Sequence, residues 1–155
     1  MSKQFPKIPA TEPIKEVILA AFDLSLEIAG GWGYSTEDAM QLLSPFSVPL
    51  PQLEYTLASM RTHIEMHMVL PDEERYGGIN LTEKSRKTDI MDKKVYDIVT
   101  YEVTAMKEVE YTQFIDAYKE GYGQDGFDME AHFQARKEAT LHRSITLYFD
   151  ITALQ

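Results

Sequence analysis

The chain contains no cysteine. That removes a disulfide framework, a thiolate metal site and a cysteine nucleophile together, and it suits a reducing compartment, so the expected location is the cytoplasm. No apolar run approaches the roughly 20 residues of a membrane span, and the opening stretch leads into no signal-like apolar segment, so no membrane association is expected. Positive charge is short too. The 15 Lys and Arg stand against 25 Asp and Glu, a formal net charge of -10, which opposes binding to phosphate backbones and anionic lipid. Nucleic acid is therefore a disfavoured partner. Phosphate-cradling glycine motifs, a His-Glu-x-x-His pattern and a serine nucleophile elbow are missing as well.

What is present is the composition of an ordinary globular chain. Its 155 residues are 44% hydrophobic and 26% charged, with nine Tyr, seven Phe and one Trp, enough for one sizeable core. Residues 1–12, broken by Pro6 and Pro9, read as an extended arm, and residues 13–155 as a single domain. The spacing predicts a helix over 13–29, with Ile14, Val17, Ile18, Ala21 and Ile28 on one stripe and Gly30 and Gly31 at its end. Ser35, with Glu37 and Asp38 behind it, reads as the cap and acidic first turn of a short helix over 35–43. A third helix, opened by Pro51, turns Leu53, Leu57 and Met60 inward.

Residues 95–106 alternate with a period of two, as do 144–152, where Ile145, Leu147, Phe149 and Ile151 face one way. A helix over 109–120 and a second from Asp128 form a pair between them, and residues 79–82 read as a short strand. The segment 61–70 satisfies two templates. Helical spacing runs through Leu57, Met60, Ile64 and Met68, whereas alternation sets Ile64, Met66, Met68 and Leu70 against His63, Glu65 and His67. The alternation and the Thr, Ile and Val content favour a strand. The expected fold is α+β: an N-terminal helical cluster packed on a small, mainly antiparallel sheet of residues 61–70, 95–106 and 144–152, with a helical pair inserted before the last strand.

Without cysteine, imidazole and carboxylate are the transition-metal ligands left, and His63, Glu65 and His67 are the densest group of them. On a helix His63 and His67 lie one turn apart and can chelate one ion. On a strand they are about 13 Å apart, at about 3.3 Å per residue, and His132, His142 or Glu102 must complete a site. The plainer origin of the pattern is the polar face of a half-solvated strand. Glu138 beside His142, and Glu130 beside His132, could orient an imidazole for proton transfer, though pairs like these arise freely in so acidic a chain.

Three loops mix glycine with aromatic residues and carry Trp32, Tyr34, Tyr76 and Tyr122. Converging, they would form a partner-binding surface; separately, the aromatics cover turns. The basic stretch 75–94 could serve as the wing of a winged-helix DNA-binding module behind helices at 35–43 and 51 onward, but Asp72, Glu73 and Glu74 cancel its excess and Arg61 is the sole cationic reader on the second helix. The expected function is a non-catalytic interaction or regulatory module that self-associates or binds another protein. A metal-binding protein or metal-dependent enzyme built on His63, Glu65 and His67 is the second expectation, and DNA binding the third.

Overall fold

In the computed structural model, which describes residues 5–155, one helical layer lies against a five-stranded sheet. The elements follow the order α1 (Ile14–Phe22), β1 (Ile28–Gly30), β2 (Met40–Leu42), α2 (Leu50–His63), β3 (Tyr76–Met91), β4 (Lys94–Lys107), α3 (Glu108–Gly121), α4 (Met129–Ala139) and β5 (Leu141–Asp150). The strand order is β1-β2-β5-β4-β3. Among the described residues only β2 and β5 pair in parallel; the other three ladders are antiparallel. The α+β architecture, the mainly antiparallel sheet and the helical pair ahead of the last strand match the sequence expectation.

The core forms where α1 and α2 press on the inward face of the sheet. Ile14 and Ile18 of α1 and Leu53, Leu57 and Ala58 of α2 meet Val99, Tyr101 and Val103 of β4 and Ile145, Leu147 and Phe149 of β5, all buried. The odd-numbered positions of β4 and β5 point inward, as their alternation required.

Three expectations fail, each for a local reason. Residues 61–70 are not a strand: α2 continues to His63 and passes into a π-helical turn, Ile64–Met68, where the Val69 amide reaches back to the Ile64 carbonyl. The helical stripe of Leu57, Met60 and Ile64 wins because it extends a helix already opened at Pro49 and Pro51. The alternation misled because Glu65 is as buried as Ile64 and Met66.

The first helix stops at Phe22 rather than 29. Asp23 turns left-handed (φ 54°) while its amide still bonds the Leu19 carbonyl, which frees Ile28–Gly30 to pair with β2. Residues 35–43 hold no helix. The Asp38 carboxylate accepts from the Ser35 amide at 2.6 Å and closes a turn, after which Met40–Leu42 enters the sheet as β2. The strand expected over 79–82 is present but is only an early part of a 16-residue β3, joined to β4 by a turn at Asp92 and Lys93, both with positive φ.

Candidate functional site

A cleft of about 500 Å³ opens at the edge of β5. Its floor is a knot of charged and aromatic side chains contributed by three elements. Arg61 and Glu65, one turn apart on α2 and its π-helical extension, are 2% and 1% exposed. Arg143 rises from β5 at an inward position, with the same parity as Ile145. Tyr34 comes from the loop after Gly33.

That loop is fixed by close backbone approach. Gly30 has φ 80°, and a Cβ there would stand 2.4 Å from the Ala39 carbonyl oxygen. Beyond it the Gly33 amide bonds the Asp38 carbonyl at 2.8 Å and the Gly33 carbonyl accepts from the Tyr148 amide at 2.9 Å. Tyr34 is thereby held over the end of α2.

The contacts within the knot are specific. The Tyr34 hydroxyl donates to Glu65 Oε2 at 2.5 Å and accepts the Ile8 amide at 2.9 Å, which pins the N-terminal arm. Arg143 Nη1 lies 2.8 Å from Glu65 Oε1, off the direction of a hydrogen bond, and Arg61 Nε lies 3.7 Å from Oε2. Arg61 donates through Nη1 to the Trp32 carbonyl (3.2 Å) and through Nη2 to the Thr146 carbonyl (3.3 Å), with its guanidinium 4.3 Å from the Tyr34 ring centroid. Arg143 stacks on Phe5 at 4.6 Å. Burial pushes the Tyr34 phenol up, reinforced by its bond to Glu65. Burial lowers the Arg61 guanidinium, opposed by the Glu65 carboxylate.

The charge of this floor is unbalanced. Two guanidiniums share one buried carboxylate, Lys7 adds a third cation at the rim, and the Asp38 carboxylate, which also acts on Arg61, is held by Ser35. Among the described residues, Arg61 Nε, Arg143 Nη1 and Glu65 Oε1 complete no hydrogen bond, although Nη1 and Oε1 stand 2.8 Å apart as an ion pair. In a chain of net charge -10, a cleft with a local positive surplus is chemically distinct from its surroundings.

The chain matches no protein-family model, no curated protein and no solved structure.

The residues singled out from sequence are dispersed. The helix that replaces the expected strand stacks the His63 and His67 rings, with centroids 4.8 Å apart and planes 16° apart, and turns Glu65 away into the cleft. His67 Nε2 meets Glu108 at 2.9 Å, and His142 Nδ1 meets Glu102 at 3.1 Å. His132 is enclosed by Phe114, Tyr118, Phe127 and Phe133 between α3 and α4. Among the described residues no three such side chains are grouped to hold a metal ion.

The four aromatics do not share a surface either. Trp32 and Tyr76 are core residues, Tyr122 lies exposed at the end of α3, and Tyr34 alone enters the cleft. Phe5 and Ile8 of the arm pack on the chain's own core. Sequence reasoning missed Arg143 altogether and read Arg61 only as a DNA contact. One signal was available: Arg143 is a charged residue at an inward position of an alternating strand.

Proposed function

We propose that the protein is a non-catalytic binding module whose β5 cleft takes an anionic ligand. The observation that carries this reading is a buried guanidinium, Arg61, and a half-buried one, Arg143, facing a single buried carboxylate, Glu65. Burying a charge without a partner is costly, by several kcal/mol on the scale of about 3–5 kcal/mol for a broken buried pair, so an anion that completes the pairing binds where water alone serves poorly. The carboxylate and phenol of the site support the reading from the other side: both are committed to positioning the arginines and the arm.

The test is thermal unfolding and titration calorimetry with acetate, succinate and inorganic phosphate at matched ionic strength. A saturable stabilisation by one of these anions over chloride, lost in Arg143→Gln, is expected. Equal unfolding temperatures in every salt would refute the proposal.

A second reading, self-association or binding to another protein in a reducing compartment such as the cytoplasm, draws on the α3–α4 pair. Tyr122 (63% exposed), Phe133 (47%) and Val109 (48%) present apolar surface there. Light scattering across a concentration series tests it: a monomer mass throughout, with no partner retained, removes this reading.

A further inference from the structure

The cleft lies beside the first half of β5, which among the described residues is paired on one side only. From Leu141 to Ile145, β5 pairs with β4, whereas β2 pairs with β5 only at Phe149 and Asp150. On the side away from β4 the Tyr148 amide is taken by the Gly33 carbonyl and the Thr146 carbonyl by Arg61. Backbone groups of a strand alternate in direction with a period of two. Ser144 and His142, at the same parity as Tyr148 and Thr146, therefore direct their amides and carbonyls out of the sheet on that side. Both residues are exposed, both line the cleft, and among the described residues no strand pairs with them there.

Two features thus meet in one place: backbone donors and acceptors that no described residue takes, and a surplus of cationic side chains. An extended peptide satisfies the first by adding a strand, and its terminal carboxylate satisfies the second. Phe5, Leu141 and Ile145 add apolar wall to the same cleft, which suits an apolar side chain next to that carboxylate. We propose that β5 and its arginine cleft bind the free C-terminal end of an extended peptide, the strand pairing with His142 and Ser144 and the carboxylate lying against Arg143 and Lys7. This rests on the anion-binding reading and names the ligand class for it.

The experiment uses the full chain and three N-acetylated peptides, each a pentapeptide of alternating Thr and Val. One ends in a free carboxylate, the second in an amide, and the third keeps the carboxylate but is N-methylated at alternate residues. Binding is followed by calorimetry and by the NMR signals and exchange of the Ser144 amide, with acetate and phosphate titrated in parallel.

The free-acid peptide is expected to bind about tenfold or more tighter than the amide, the worth of about one charge-assisted contact, and to protect the Ser144 amide. The N-methylated peptide is expected to lose that protection and most of the affinity. If acetate and phosphate bind but the free-acid peptide binds no better than acetate, the peptide proposal is overturned and the anion reading stands. Equal binding of the acid and the amide overturns it too. If nothing binds, both fail. The ligand-side changes keep the test valid even where Arg143→Gln does not fold.

Discussion

Glu54 is fully buried on α2, with Asp97 of β4, itself 4% exposed, packed beside it. One guanidinium serves both: Arg86 Nη1 is 2.6 Å from Glu54 Oε1 and 3.6 Å from Asp97 Oδ2, and its other nitrogens are spent on Glu83. Asp97 also accepts from Thr88 at 2.6 Å. Two carboxylates around one cation cannot both be matched, and burial followed by the neighbouring Asp97 pushes the Glu54 carboxyl up to about 8. Glu54 Oε2 accepts no hydrogen bond from a described donor, so it is the oxygen free to carry the proton.

The consequence for stability has a definite sign. The folded carboxyl titrates near 8 and the unfolded one near 4.5, so between these values the native state holds a proton that the unfolded chain has released. Stability then falls as pH rises, by about 1.4 kcal/mol per pH unit and at most about 3 kcal/mol from pH 5 to pH 7.5. Glu54→Gln keeps the shape, keeps an oxygen for Arg86 and supplies an N–H where the proton sits. Denaturant unfolding of both proteins from pH 5 to pH 8.5 measures it. The difference curve should start near zero at pH 5 and climb in favour of the variant to about 3 kcal/mol, because every other titration is common to both chains. Parallel curves would refute the reasoning and mean that Arg86 carries both buried carboxylates ionised, beside Glu83, at neutral pH.

Tyr34→Phe removes one hydroxyl that serves both Glu65 and Ile8; about 1–3 kcal/mol of stability should be lost, and hydrogen exchange should speed up at the Ile8 amide, with an unchanged rate there counting against the pinning of the arm. Arg61→Ala strips the Trp32 and Thr146 carbonyls of their donor and Glu65 of one cation, at about 3–5 kcal/mol, read as a lowered denaturation midpoint. Gly30→Ala forces a Cβ to 2.4 Å from the Ala39 oxygen at a positive φ; the variant should be destabilised by more than the roughly 1 kcal/mol of an ordinary glycine exchange, and a neutral result would contradict the placement of β1 against β2. His63 is held below the usual imidazole range by burial and then by the stacked His67. Acidification through the unfolded imidazole range should therefore cost stability, and His63→Phe should remove part of that loss.

The long regular elements were legible because their signals are local and repeated. Residues 95–106 and 109–120 fall within β4 and α3, the strand expected over 144–152 is β5 as far as Asp150, and the helix expected from Asp128 is α4, capped by that side chain through the Ala131 amide. The failures lie where a long-range partner decides. β1 and β2 are three residues each and exist through pairing with one another and with β5, a contact that no pattern within 28–30 or 40–42 announces. Residues 61–70 failed because polarity was equated with exposure, whereas Arg61, Thr62 and Glu65 are all buried.

The same error hid the site, and its correction suggests a way to read such chains. An alternating strand declares which of its positions face inward, so a charged residue at an inward position contradicts the pattern unless something inside balances it. Two positions break the rule: Asp97, in line with Val99 and Tyr101, and Arg143, in line with Ile145 and Leu147. Each proves to be one member of a largely buried charged cluster that draws on α2 or its π-helical extension, Glu54 with Arg86 of β3 in one case and Arg61 with Glu65 in the other. The clusters differ in their sums. Around Asp97 a proton on Glu54 removes one of the two buried negative charges from within. Around Arg143 and Arg61, among the described residues, Glu65 is the one carboxylate in direct contact and the cleft above is open, so the first cluster bears on stability, and the second is where the proposed anion would complete the pairing.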